Sequence, residues 1–398
     1  GIVQTLWKHG GIYGYDINCG VRLAVTGVDV ENIRGKERDI ASAMFDAVPC
    51  GMGSKLLRLS QDELEQVAVG GVSWAVDRGY GTTKDIVRTE SYGRLPVNDL
   101  KLSARAIERG KPQLGSLGSG NHFLEVGYVD SVYDVDLAAE WGLYPGKVTI
   151  LIHTGSRGFG HQICDDFLLS MQKDKSTRRV YIPDPQLTYA MLGSSLADDY
   201  LNAMGAAANY AFANRQIIME LARRVWEKQA RGLAHADQFR LLYDVAHNLA
   251  QFESIVQGET RTDYLIHRKG ATRALPPYHP SLPTEYLKTG QPVLIPGSME
   301  THSYVLVGEE TGKDTFYSTC HGAGRRLSRK KAKKEAKGRA IERDMEDKGI
   351  YVKHVGRDTL KEEHGGAYKD VNSVVDTVER AGIARKVARI SPIVVVKG

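Results

Sequence analysis

The chain has 398 residues, of which 42% are apolar and 25% charged, with a formal charge of +5, an ordinary balance for a soluble globular protein. Nowhere do about 18 apolar residues run uninterrupted, so no membrane-spanning helix is expected. Four cysteines (Cys19, Cys50, Cys164, Cys320) in so long a chain do not make a disulfide scaffold. A cytoplasmic protein is the default expectation. The sequence opens at Gly1 without Met and shows no signal peptide, so its N-terminal part is read as truncated.

In chain order, residues 21–25 read as a strand following a turn that holds Asp16 and Cys19. Residues 37–45 and 61–68 space their apolar side chains as helices do. The β-branched run 148–152 predicts a strand that delivers His153 into a loop. The longest helical pattern runs from about 197 to 229, and its small residues (Ala203, Gly205, Ala206, Ala207, Ala208) predict close packing as a buried structural helix. Segments 253–256 and 258–267 look like short strands and turns leading to Arg268-Lys269-Gly270. Runs 292–296 and 303–307 form an apolar pair around Gly297-Ser298-Met299. No internal repeat or long linker divides the chain, so one catalytic domain over 1–398 is expected. Strands and helices mix without regular βαβ alternation, which predicts an α+β fold, mixed sheets surrounded by helices rather than a doubly wound sheet.

Five separated segments carry the chemistry: Asp16-Ile17-Asn18-Cys19-Gly20, Gly118-Ser119-Gly120-Asn121-His122-Phe123, His153-Thr154-Gly155-Ser156-Arg157, Asp244-Val245-Ala246-His247-Asn248, and Cys320-His321-Gly322-Ala323-Gly324-Arg325. A carboxylate and a thiolate two residues apart suit Mn²⁺, Zn²⁺ or Fe²⁺ better than Mg²⁺ or Ca²⁺. There is no paired Cys-x-x-Cys, so no zinc-finger pattern exists. The glycine run before His122 can turn backbone N–H groups toward an anion, yet it lacks the Gly-Lys-Ser/Thr ending of a phosphate loop and the setting of a dinucleotide fingerprint. Taken singly, His122, His153 or His247 reads better as a satisfied core residue. Together with Asp16 and Cys19 they suggest a shared metal centre beside a phosphate site. His321 differs, because the flexible turn and the Arg325 guanidinium after it suit phosphate oxygens, and an imidazole there can attack phosphorus.

Nine Lys/Arg residues lie between Arg325 and Arg339, broken by Glu335. They read either as a solvated amphipathic helix or as a phosphate-contacting surface for nucleic acid, which Arg105, Arg109 and Arg157 would extend.

Taken together and in order, these motifs, with 267–273 and 296–299, resemble the RtcB family of RNA-splicing ligases over nearly the whole chain. The resemblance implies a ligase dependent on GTP and Mn²⁺, with two ions, that joins RNA 3′-phosphate or 2′,3′-cyclic phosphate ends to 5′-hydroxyl ends. It implies Asp16, Cys19, His122, His153 and His247 as metal ligands, Cys19 bridging, and His321 as the nucleophile that takes up GMP. By the same resemblance Asn121, Phe123, Glu125, Asn248, Ser298, Ser303, Gly324 and Lys397 surround the guanylate, and Arg109, Arg157 and Lys269 face phosphates or RNA. The implied partners are RNA, as tRNA exon halves or broken RNA, GTP and an archease-type activator, with a monomer expected. The lead-in 7–13 departs from the family's proline- and glycine-rich approach. Glu300 and Thr301 stand where glycine and a small residue are expected, which predicts an altered guanine pocket. Two alternatives stay open: a metal-dependent RNA phosphoesterase of the same fold, and a non-catalytic RNA-binding module.

Overall fold

The computed structural model describes residues 2–6, 9–11, 16–51, 56–174, 181–182, 184, 187–257 and 260–398. Parts of the lead-in 7–13, Tyr15 and the start of the 258–267 segment lie outside them.

The centre is an eight-stranded sheet. Its strands run in the order Pro292–Ile295, Ser303–Gly308, Ala384–Lys397, Phe123–Val132, Lys147–Thr154, Gly20–Asp29 and Phe239–Ala246, all antiparallel. Tyr351–His354 adds a parallel contact to the far half of Ala384–Lys397. A strand of 14 residues can serve several neighbours because its register shifts around Pro392, which has no N–H to donate. Within Gly20–Asp29, Val21, Leu23 and Val25 enter one core while Ala24 and Val28 enter another. That alternation is the period of a strand buried on both faces.

The 35-residue helix Ser195–Gln229 links sheet and helices. Ser194 caps it by accepting from the Ala197 N–H. Its second half sets Ile218, Met219, Ala222 and Trp226 on one sheet face beside the helix Glu37–Ala47. Its alanine-rich first half packs among the helices Gln61–Gly70 and Arg157–Lys173. The mixture of helices, one large antiparallel sheet and smaller sheets is α+β, as the sequence predicts.

Two elements differ from expectation. Segments 253–256 and 258–267 are not short: Asn248–Gln257 and Thr260–Lys269 form a ten-residue hairpin in register. The basic run is helical only over Arg329–Glu335, because Arg325 instead bridges to Tyr368, Arg326 and Leu327 bond to the Ala367 carbonyl, and the left-handed Gly338 lies just beyond the helix.

Beneath the sheet lies a buried charge network. The Asp244 carboxylate accepts from Arg22 Nε at 2.7 Å and from Arg215 Nε and Nη2 at 2.9 and 2.8 Å, with all three side chains fully buried. Arg215 also donates to the main-chain carbonyls of Asn18 and Thr154 at 2.8 and 3.0 Å, and to Asn18 Oδ1. Removing Arg215 leaves Asp244 its Arg22 partner but strips a donor from several buried acceptors, Asp244, the Asn18 and Thr154 carbonyls and Asn18 Oδ1, at a total cost of about 3–5 kcal/mol. Arg215→Met is therefore expected to lower unfolding free energy by about that amount in a urea titration. A loss under about 1 kcal/mol, the level of an exposed pair, contradicts this account.

Candidate active site at the strand ends

Register gathers the site. Gly20 lies opposite both Thr154 and Ala246, and Phe123 lies opposite His153. Cys19, His153, His247 and His122 therefore occupy the same end of four adjacent strands, spaced about 4.8 Å apart. The His247 N–H donates to the Cys19 carbonyl at 2.9 Å. Gly20 permits the closeness, since a Cβ there would lie 2.3 Å from the Val245 carbonyl oxygen and 2.9 Å from the Arg215 guanidinium carbon.

The side chains converge as the backbone does. Cys19 Sγ stands 3.5 Å from His122 Nε2 and 3.4 Å from His153 Nε2, and His153 Nε2 lies 3.3 Å from His247 Nε2. His122 Nε2 is 2.8 Å from Asp16 Oδ2. Two groups capable of holding a cation result, Asp16-Cys19-His122 and Cys19-His153-His247, with the thiol common to both. Donor chemistry fits a borderline or soft divalent metal. Burial holds the His153 and His247 rings well below the usual imidazole range, so both are neutral, as ligands must be. Burial and the Asp16 charge push the Cys19 thiol well above its usual range, so a thiolate there calls for a cation. Burial opposes charge on Asp16, but His122, His161 and Arg157 facing it keep its carboxyl well below the usual range.

His321 ends the short strand Ser318–Cys320, which pairs with Ala271–Arg273. Its ring centroid lies 5.3 Å from that of His247. Burial lowers its pKa to about 4, against a hydrogen bond to the Gly270 backbone that favours the charged form. The ring is neutral at physiological pH, with one nitrogen occupied by Gly270. Gly270 adopts φ +61°, and a Cβ there would sit 3.2 Å from the His321 ring. Glycine satisfies both constraints.

Two cavities meet at this histidine. The larger, about 950 Å³, is lined by Asp16, Cys19, Arg109, Arg157, Asn248 and Lys269 among others. The smaller, about 230 Å³, is walled by Phe123, the 296–299 turn, Gly324, Tyr368 and Lys397. Asn121, His321 and Arg329 line both.

Of the residues assigned by resemblance to the guanylate, Asn121, Phe123, Ser298, Gly324 and Lys397 line the smaller cavity. Asn248 opens on the larger one and donates to the Asp16 carbonyl. Ser303 lines neither; it accepts the Gly297 N–H and supports the turn from behind. Glu125 is fully buried behind Phe123 with no partner for either carboxyl oxygen among the described residues. Glu300 turns away from the cavity wall, its carboxylate accepting the Gly365 N–H and pairing with Lys348, while Thr301 Oγ1 accepts the Ser298 N–H.

Arg325 is not free for phosphate as expected. Its guanidinium is committed to Glu363 at 2.6 Å and to the Glu362 and Leu327 carbonyls. Arg329, one helical turn before Lys333, also presents a guanidinium at the cavity rim, with its Nε 3.5 Å from Glu363 and 3.8 Å from Glu362. His161, Glu362 and Tyr368 also belong to the walls and were not legible from their motifs. Only the i, i+4 spacing of Arg329 and Lys333 offered a signal.

With this geometry in view, similarity to known proteins is decisive. A sequence profile described as tRNA-splicing ligase RtcB matches residues 9–398. The chain belongs to the RtcB family of tRNA-splicing ligases. It is 46% identical over 392 residues to the tRNA-splicing ligase RtcB of Thermococcus kodakarensis, covering 98% of this chain and 81% of that one. The same-named proteins of Archaeoglobus fulgidus and Methanococcus maripaludis are 46% and 44% identical, over 98% of this chain and 81% and 82% of theirs. The family is one of RNA ligases, and this chain is an enzyme of that family. Among the described residues no helix is long and apolar enough to cross a membrane.

Burial raises the Glu125 pKa to about 8. A carboxyl whose folded pKa is raised contributes fully below its unfolded value near 4.5, and that contribution is lost as pH rises through about 8. Glu125→Gln, which mimics the neutral acid, is therefore expected to gain stability over the parent as pH rises from 5 to 8, by a few kcal/mol at about 1.4 kcal/mol per pKa unit. Urea denaturation at the two pH values checks this, and a gap that does not widen contradicts it.

Proposed function

We propose that this chain is a GTP- and Mn²⁺-dependent RNA ligase that joins 3′-phosphate or 2′,3′-cyclic phosphate ends to 5′-hydroxyl ends. The observation that carries the reading is the position of His321. A neutral imidazole stands at the seam of the smaller and larger cavities, against a thiol–imidazole cluster fit to hold two cations.

The free His321 nitrogen attacks the α-phosphorus of GTP; an N–P bond forms, the bond to pyrophosphate breaks, and pyrophosphate leaves. The nucleoside lies in the smaller cavity against Phe123, with the buried Lys397, its pKa lowered to about 8 by desolvation, beside that ring. Asn121 and Arg329 face the phosphates from the seam. Cations held by Asp16, Cys19, His122, His153 and His247 would supply Lewis-acid stabilisation of charge on phosphate oxygens. GMP then passes from His321 to the RNA 3′-phosphate, giving an RNA-3′-pp-5′-G end. The 5′-hydroxyl attacks the RNA phosphorus of that linkage, its proton passes to solvent, and GMP leaves. Arg109, Arg157 and Lys269 line the larger cavity, where the RNA phosphates would lie. A cyclic end is first opened by water.

Incubation with α-labelled GTP and Mn²⁺ is expected to leave an acid-labile label on the protein, as a phosphoramidate requires, and none on His321→Ala. Label retained by that variant, or RNA cyclic-phosphate hydrolysis indifferent to GTP, refutes the reading.

RNA would leave the larger cavity across the helix Arg329–Glu335. Lys330, Lys331 and Lys334 are exposed there and, among the described residues, have no carboxylate within ion-pair distance. Lys330→Glu with Lys334→Glu is expected to weaken RNA binding while sparing guanylylation. The log–log salt slope should fall by roughly 0.7 for each single-strand phosphate that the variant no longer neutralises. An unchanged slope removes this helix from the RNA path.

A further inference from the structure

The three imidazoles of the cluster are not equivalent. Nδ1 of His153 and Nδ1 of His247 have no hydrogen-bond partner among the described residues. His122 Nδ1 has two neighbours, Thr154 Oγ1 at 3.3 Å and Arg157 Nη1 at 3.1 Å. These two make opposite demands on the ring.

The Thr154 hydroxyl gives its proton to the Leu117 carbonyl at 2.7 Å, so toward His122 it offers only a lone pair. It therefore suits a ring with its proton on Nδ1. The Arg157 guanidinium can only donate, and it suits a ring whose Nδ1 carries a lone pair. Both ring forms are neutral, so the choice is of tautomer and not of charge. Its consequence falls on the other nitrogen. With Arg157 satisfied, Nε2 bears the proton and donates to Asp16 Oδ2 at 2.8 Å. With Thr154 satisfied, the Nε2 lone pair faces Asp16 and Cys19, where a cation would draw on it.

The threonine is the fixed party in this competition. It is fully buried, lies opposite Gly20 in the sheet, and its carbonyl is held by Arg215 at 3.0 Å. Arg157 is tied less firmly: its Nε has no partner among the described residues, and Nη2 reaches the Gly51 carbonyl only at 3.5 Å.

We propose that Thr154 is a positioning residue that selects the metal-binding tautomer of His122 in opposition to Arg157. This rests on the metal part of the function proposed above. It also links two sites, because a ring that turns its Nδ1–H to Thr154 withdraws an acceptor from Arg157. That guanidinium already lines the larger cavity and is then available to an anion there.

The test compares Thr154→Val, which keeps shape and loses the hydroxyl, with Thr154→Ser, which keeps it. Mn²⁺ alone is titrated calorimetrically into each protein without nucleotide. Loss of a group that orients a metal-binding histidine typically weakens the metal by 10–100-fold. The valine variant is expected to lose affinity by that factor, and the serine variant to stay within about threefold of the parent. A valine variant as tight as the parent, or a serine variant as weak as valine, overturns the proposal. Should the valine chain fail to fold, Thr154→Ala takes its place. A second arm reads the ring directly, through ¹⁵N shifts of His122 in metal-free, histidine-labelled protein. Loss of the hydroxyl should move His122 toward the Nε2–H form, and unchanged shifts overturn the role of Thr154. If the unmodified protein takes up no Mn²⁺, the metal reading above fails, while the ring shifts still decide the role of Thr154.

Discussion

Arg215 is the constraint on which the site depends. It reaches from the long helix beneath three strand ends and satisfies Asp244, the Asn18 carbonyl and amide oxygen, and the Thr154 carbonyl. The three acceptor residues belong to three different segments of the cluster. A guanidinium offers five donors in a rigid plane, so their relative positions are set by one group. The Asp16–Cys19 turn has few internal bonds of its own, chiefly the Cys19 N–H to the Asp16 carbonyl. Its placement is tertiary: the Asn18 amide donates to the Ala208 carbonyl of the same helix, and the Asn18 N–H donates to the Asn248 carbonyl. A cluster that needs its donors placed to fractions of an ångström is thus held by a fully buried polar network.

Desolvation then does two different things to one cluster. It keeps the imidazoles of His153, His247 and His321 neutral, with lone pairs available. It also makes a free Cys19 thiolate costly, so the sulfur gains its charge only with a cation beside it. The same burial therefore leaves imidazole lone pairs available and favours a cation beside the thiol. A more open site would give up both effects together.

Much of this is legible in the sequence, and the reason differs by element. The β-branched run before His153 forces a strand, but the strand continues through Thr154, so His153 is held by pairing to Val21 and Phe123 rather than delivered into a loop. The alanine-rich pattern gives the long helix nearly to its final residue, because its spacing and its Ser194 cap agree. The basic run reads as one helix because its residues are helix formers, but Arg325 is drawn out of it by Glu363 and Tyr368. Those partners lie some forty residues away, where no local pattern reveals them. Resemblance puts Ser303 and Glu125 near the nucleotide; that the sheet makes Ser303 a support for the 296–299 turn and buries Glu125 is not readable from their local sequence. Sharing of Cys19 between two ligand groups depends on strand register alone, which spacing along the chain does not encode.

The seam between the cavities explains why the histidine at 321 follows a strand and precedes glycines. The pairing of Ser318–Cys320 with Ala271–Arg273 fixes the backbone on one side of the ring, and the Gly270 backbone holds one ring nitrogen. Beyond it, Gly322 at φ +155° approaches the Pro296 carbonyl, where a Cβ would lie 2.9 Å away. The chain can thus pass directly behind the 296–299 wall of the smaller cavity while its imidazole stays at the mouth. A side chain at either flanking glycine would separate the ring from one of its two neighbours, the ligand cluster or the smaller cavity. An imidazole that reaches both needs small residues on each side, and that requirement follows from geometry before any reaction is specified.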